Sequence, residues 1–250
     1  ERYLARGYSE YWLAFDTATQ VHHFEMMRRA ESEGQPLRVE VKPLPARGIT
    51  ELTIYAPDHP GLFARMAGAM ALSGANILGA KIITLANSMA LDTFRIQDNN
   101  GGPFDQPDRL DRLRVRIERA IVGQIYPARE LEAVRSSTPP SRTGVFKVPP
   151  AVILDNKASA THTVIEVNGR DRQGFLHDVT STLTQLGLQI SSAHVSTYGE
   201  RVVDVFYVKD VFGLKIEDPA KLRRIERRLC RAIVPPEDRS VRKSPTQAAE

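Results

Sequence analysis

The sequence contains a single cysteine, Cys230, among 250 residues. One thiol makes no internal disulfide and no thiolate cluster for zinc, so a reducing compartment is expected, with the cytoplasm as the default. Long apolar runs are missing as well. The longest uncharged apolar stretch, Met66 to Leu72, is seven residues, against the roughly 20 that cross a bilayer, and no basic-then-apolar leader opens the chain. Neither secretion nor membrane insertion is expected. Signatures of catalysis are equally scarce: there is no GxGxxG, P-loop, HExxH or CxxC, and no Asp-x-Asp pair of the kind that holds magnesium. His177-Asp178 has no further ligand nearby. His22 and His23 are adjacent, and adjacent helical side chains point about 100° apart, so neither pair reads as a metal site. The chain opens on Glu1 rather than methionine, which suggests a module of something longer.

What is present is an ordinary globular composition, 42% hydrophobic and 26% charged, with room for one large domain or two to three small ones. A repeat chooses between these. Asp58-His59-Pro60-Gly61-Leu62-Phe63 returns as Asp171-Arg172-Gln173-Gly174-Phe175-Leu176. The register continues through Gly74 and Gly187, Ile77 and Ile190, Ala80 and Ala193, and Thr84 and Thr197. One residue then drops out near Asn87-Ser88, which reads as a hairpin turn where a length change costs least. Asp92 and Asp204, Phe94 and Phe206, Asp98 and Asp210, Pro107 and Pro219, and Leu110 and Leu222 follow in step. The chain is a duplication.

Each copy reads as strand, helix, strand, strand, helix. Leu52, Ile54 and Ala56 alternate as one strand face, matched by Ile165 and Val167. Asp58 and Asp171 stand where helix N-caps are expected, followed by Leu62, Met66, Ala69 and Met70, or Phe175, Val179, Leu183 and Leu186, at helical spacing. Two extended segments form a hairpin, and Pro107 or Pro219 opens a second amphipathic helix. A closing strand would complete a ferredoxin-like βαββαβ sandwich, an α+β fold. For the first copy Val145 to Val148 or Val152 to Leu154 is expected to supply it, past a loop at Ser136 to Arg142. The second copy has no downstream candidate, so its sheet is three-stranded or is completed by Val152 to Leu154 or by another chain. Residues 1–47 form a connector whose Tyr11, Trp12, Phe15, Val21, Phe24 and Met27 suggest amphipathic helices with a packing partner outside this chain, followed by a strand-like alternation at Leu37 to Val41.

The duplicated Asp-x-x-Gly loops are the candidate ligand sites. A helix N-terminus offers unpaired N–H groups to a carboxylate, and a glycine lets a small molecule lie on the backbone. Asp58 can receive an ammonium, and Asn76 offers a donor and an acceptor. Such a loop suits a free amino acid once a second strand or subunit closes the other side. The same residues also serve as a plain capped turn. Asp92 and Asp204 share strand parity with Phe94 and Phe206 and read as strand-end carboxylates satisfied by backbone or solvent.

The combination resembles the ACT domain, a small-molecule-sensing βαββαβ module that binds amino acids between two copies. Tyr11-Trp12, His22-His23-Phe24, Thr50 to Ile54, Pro57 to Phe63, Ala90 to Phe94 and Asp204 to Val208 further resemble the C-terminal third of the bacterial PII uridylyltransferase and uridylyl-removing enzymes. That resemblance covers nearly the whole chain. It implies a connector from an absent hydrolase domain at 1–47, ACT units at 48–156 and 161–234 with a loop insertion near 124–144, and a flexible tail at 235–250. It also implies glutamine sensing that controls uridylylation and deuridylylation of the PII signal protein in nitrogen assimilation. The parent enzyme would use magnesium, and no catalytic residue would lie in this chain. The implied ligand residues are Asp58, Gly61, Leu62, Asn76 and Ile77 in the first copy and Asp171, Gly174, Phe175, Gln189 and Ile190 in the second. The second copy departs at Gln173, where proline is commoner, and at Gln189, so the first site is expected to be the better one.

Lysine and arginine exceed aspartate and glutamate by 34 to 30, and the surplus gathers on the second helices. Arg109, Arg112, Arg114, Arg116 and Arg119 are copied as Lys221, Arg223, Arg224, Arg227, Arg228 and Arg231. Interleaved acids and the lack of an aromatic platform favour a solvated face over a docking surface for PII or a catalytic domain, and rank nucleic acid last. The rival to a sensor is an ACT module that only self-associates.

Overall fold

A computed structural model describes residues 7, 9–137 and 149–234 of the chain. Two helices come first, α1 (Ser9–Ala14) and α2 (Thr17–Ser32), the second capped by Asp16, whose carboxylate accepts the Thr19 N–H at 2.8 Å. Strand β1 (Arg38–Leu44) follows, then the repeat: β2 (Ile49–Pro57), α3 (Leu62–Leu72), β3 (Asn76–Lys81), β4 (Met89–Gln97) and α4 (Pro107–Ile121). Helix α5 (Pro127–Ser137) leads to the second unit, β5 (Ala151–Asp155), β6 (Thr163–Arg170), α6 (Phe175–Gln185), β7 (Gln189–His194), the short β8 (Thr197–Tyr198), β9 (Arg201–Lys209) and α7 (Pro219–Ile233).

Both sheets are antiparallel, ordered β1-β2-β4-β3 and β5-β6-β9-β7. The fold is α+β and duplicated, with one departure in chain order. The strand closing each sandwich precedes its unit instead of following it. The alternation at Leu37 to Val41 lies in the edge strand of the first sheet, with Val39 opposite Ile54. Val152 to Leu154 completes the second sheet, Val152 opposite Val167, and does not close the first. Either placement puts a strand beside the same neighbour, so hydrophobic period alone leaves the donor open. Val145 to Val148, and the tail from Pro235 to Glu250, lie outside the described residues. The insertion after α4 carries α5, which buries Pro127 and Leu131; the seryl end at Ser136 and Ser137 belongs to that helix, where a loop is predicted.

Alternation works as read. Leu52, Ile54 and Ala56 of β2 and Phe94 and Ile96 of β4 are fully or nearly fully buried on the helix-covered face, with Met66 and Met70 of α3 and Leu113 and Ile117 of α4 in the same core. The opposite face of the first sheet is where the connector packs. Tyr11, Phe15, Met26 and Met27 cluster with Tyr55, Ile83, Leu85 and Leu91. The partner of these aromatics is therefore in this chain, although Leu13, Val21 and Phe24 remain exposed.

The units meet through α3 and α6 and along the edges of β3 and β7. The side of α3 turned to α6 is a row of small residues, Ala64, Ala67, Gly68 and Ala71, which lets the helix axes approach. His177 Nδ1 donates to the Ala64 carbonyl at 2.8 Å, Gln173 Nε2 donates to Ala71 at 2.8 Å, and Thr197 Oγ1 donates to Ile77 at 3.4 Å. Among the described residues, no helix is long and apolar enough to cross a membrane.

Two outcomes test these contacts. A Cβ on Gly68 would stand 2.6 Å from Pro127 Cβ and 2.8 Å from His177 Nδ1, so Gly68→Ala should lower stability by about 1–3 kcal/mol in urea titration; an unchanged midpoint would refute the tight interface. His23 is fully buried, its Nδ1 lies 3.2 Å from the Tyr11 hydroxyl, its Nε2 has no partner, and burial first, then the neighbouring His22, lower its pKa from 6.5 to about 4. The depressed folded value means that protonation favours the unfolded chain. Stability from this group is present above pH 6.5 and is lost as the pH falls toward 4. From pH 7.5 to 5 the wild type should lose about 2 kcal/mol more than His23→Leu, followed by denaturant titration at both pH values.

Candidate functional site

The two Asp-x-x-Gly loops connect β2 to α3 and β6 to α6. In both, the glycine and not the aspartate occupies the helix N-cap: Gly61 has φ 87° and Gly174 has φ 76°, and neither helix has a side-chain cap. The left-handed backbone is open to glycine at little cost. Asp58 and Asp171, three residues earlier, are released from capping. Asp58 is exposed and accepts the Thr84 hydroxyl at 2.6 Å. The matching Thr197 turns across the interface to Ile77, and Asp171 takes the backbone N–H of Arg172 instead.

This difference makes the loops unequal. A cavity of about 500 Å³ opens where the second loop faces the first unit, with Asp171, Arg172, Gly174 and Phe175 from the loop and Asn76, Ile77 and Leu78 from β3. Leu78 sits at a bulge, since Ile77 and Gly79 pair with Ile96 and Arg95, and β7 has the same irregularity between Ile190 and Ser192. Bulges re-aim side chains at such places. The amides of Gln97 and Asn99 line the cavity from the first unit, and Val202 and Asp204 from β9. Asn76 also donates to the Asp98 carbonyl at 3.4 Å.

The structure thus brings Asn76 and Ile77 together with Asp171, Gly174 and Phe175, across the unit boundary. It does not group them with Asp58 and Gly61 of their own copy. Leu62 and Phe175 are core residues, each 3% exposed. Gln189 is exposed and Ile190 half-buried on β7, and neither lines this cavity. Gly61 faces Thr184 of α6, which a Cβ there would meet at 3.5 Å.

The strand carboxyls Asp92 and Asp204 take backbone N–H groups, as expected, but at fully buried positions. Asp92 and Asp204 are each 1% exposed, on the helix-covered side opposite Ile54 and Val167. Asp92 accepts the Ile83 N–H at 3.2 Å and Asp204 the Ser196 N–H at 3.3 Å. Desolvation, opposed by that bond and reinforced by Asp58, pushes Asp92 well above the carboxylate range; desolvation and Asp171 push Asp204 up to about 7. Their recurrence at matched positions in both copies was the available signal.

Arg135 of α5 fastens the outside of the second loop. It pairs with Asp178 at 3.0 Å and donates to the carbonyls of Gln173 at 3.4 Å and Gly174 at 3.5 Å. Asp178, in the first turn of α6 where a carboxylate complements the helix dipole, also pairs with Arg172 at 2.6 Å. His177 and Asp178 are thus engaged at the interface and in ion pairs, and no group of three or more His, Cys, Asp or Glu that could hold a metal ion occurs among the described residues. Some of the residues on the arginine helices are engaged as well. Arg109 lies over Phe104 at 4.3 Å, Arg114 contacts Asp111 and Glu118, Arg116 donates to Leu72, and Arg228 donates to Gln185.

The second unit matches a known domain family. Residues 158–234 match the ACR family N-terminal ACT domain. The chain is 52% identical over 237 residues to the bifunctional uridylyltransferase/uridylyl-removing enzyme of Azospirillum brasilense, covering 94% of this chain and 25% of that protein. With the enzyme of that name from Rhodospirillum rubrum it shares 50% over 252 residues, 100% of this chain and 27% of the relative. The resemblance to these enzymes seen in the sequence holds, and the chain spans about a quarter of their length, not a third. Aspartate kinase from Synechocystis superposes at a TM-score of 0.40 with 17% identity, over 73% of this chain and 26% of the kinase.

If Arg135 fastens the loop, Arg135→Ala should speed amide hydrogen exchange at 173–178 severalfold and leave β2 and β4 unchanged. Equal protection in both proteins would remove the clamp.

Proposed function

We propose that this chain is the amino-acid-sensing regulatory part of a bifunctional PII uridylyltransferase/uridylyl-removing enzyme, with glutamine as its ligand. The observation that carries the reading is the cavity between the units, which combines a helix N-terminus, carboxylates and a row of amides. A free amino acid needs all three. Its carboxylate suits the Leu176 and His177 N–H groups in the first turn of α6, the Phe175 N–H being bonded to the Arg172 carbonyl. Its ammonium suits a carboxylate, and a side-chain amide finds donors and acceptors in Asn76, Gln97 and Asn99.

A ligand held between units favours the arrangement that forms the cavity over any other by its differential affinity. Through that bias the module would control uridylylation and deuridylylation of PII by catalytic domains elsewhere in a longer polypeptide. The magnesium that the resemblance implies would be held by those domains.

Calorimetry and thermal shift with glutamine, glutamate and asparagine test the proposal. A dissociation constant of about 0.1–1 mM for glutamine is expected, with stabilisation of about 1.4 kcal/mol at tenfold excess over that constant. No heat and no shift up to about 20 mM glutamine would leave a module that only holds an assembly together.

A further inference from the structure

One group in the cavity has no partner for half of its carboxyl. Asp204 Oδ1 accepts the Ser196 N–H, while Oδ2 is buried without any hydrogen-bond partner, and the residue lines the cavity. A buried acceptor left in that state costs about 1–3 kcal/mol until something donates to it. We propose that Asp204 is the ammonium acceptor of the cavity and makes it specific for a zwitterionic α-amino acid over the corresponding acid without an amino group. This rests on the amino-acid reading above and assigns the residue within it.

The surroundings select a cationic donor. From the loop, Asp171 adds negative charge, and Arg172, which also lines the cavity, turns its Nη2 to Asp178 and to the Ala232 carbonyl at 2.9 Å. From α6, His177 spends its Nδ1 proton on Ala64. Strand β6 presents apolar Val167, and the connection before β8 presents the Ser196 N–H. The first unit contributes amides, with no charged group among its lining residues. The missing counter-charge is a cation, and the cavity admits a small one with polar substituents.

The same burial that strands Oδ2 keeps Asp204 about half protonated at neutral pH, its pKa raised by desolvation and then by Asp171 to about 7. An arriving ammonium reverses that preference. The Asp204 carboxyl releases its proton to solvent, and the carboxylate accepts an N–H from the ligand, so binding is linked to the loss of up to one proton. Affinity therefore rises with pH through about 7 and levels off above it.

The test is calorimetry on the 250-residue chain at pH 6, 7 and 8, with L-glutamine and with 4-carbamoylbutanoate, which is glutamine without its amino group. Wild type should prefer glutamine by at least about tenfold at pH 8 and bind it about tenfold more tightly at pH 8 than at pH 6. Its binding heat at pH 7 should differ between buffers of low and high ionisation enthalpy, as proton release requires; this reading needs no variant. In Asp204→Asn, which keeps the shape and the Ser196 bond, both the preference and the pH slope should collapse. A slope that survives in Asp204→Asn belongs to another group and overturns the assignment. So does wild-type binding with buffer-independent heat or with equal affinity for the two compounds, and in these cases the amino-acid reading stands. If wild type binds no amino acid up to about 20 mM, both fall together.

Discussion

The close contact of α3 with α6 is the constraint on which the rest of the molecule depends. It exists because position 68 carries no side chain and because His177 finds the Ala64 carbonyl. With those helices fixed, β3 and β7 lie edge beside edge, and the second loop faces the first unit's edge strand. Neither unit alone encloses the cavity. A molecule bound there adds contacts to the interface that forms it, so occupancy and the packing of the two units are one equilibrium.

Much of this was legible in the sequence, because duplication turns a weak pattern into a repeated one. The alternation of Leu52, Ile54 and Ala56 and the helical spacing of Leu62, Met66 and Met70 were each confirmed by a second copy. The closing strands were harder. Val39 and Val152 pair with neighbours that a downstream strand would have met equally well, and strand period carries no record of which side of the unit the strand comes from. Helix α5 lies outside the repeat, so no second copy supported its spacing, and its seryl end resembles a loop. The site followed the same logic: the loops were visible, whereas their unlike surroundings depend on one hydroxyl, which serves Asp58 in the first copy and crosses to Ile77 in the second.

Charge shows the limits of counting. The net surplus of four positive charges looks like a hint of a polyanionic partner until the arginines are followed to their acceptors. Arg116 ends on the Leu72 carbonyl, Arg135 on the second loop and Arg172 on Ala232. These guanidiniums staple helices and loops through fork-shaped donor sets that lysine does not offer. The acids that matter are the ones without such partners nearby.

The order of strands has a practical meaning for anyone cutting the protein apart. The family match to the second unit begins at residue 158, but β5, which completes that unit's sheet, ends at Asp155. A fragment trimmed to the homology boundary would expose the backbone edge of β6 along Thr163–Arg170, a template for aggregation or for borrowing a strand from another molecule. The evolutionary unit and the folding unit of this chain are out of phase by one strand.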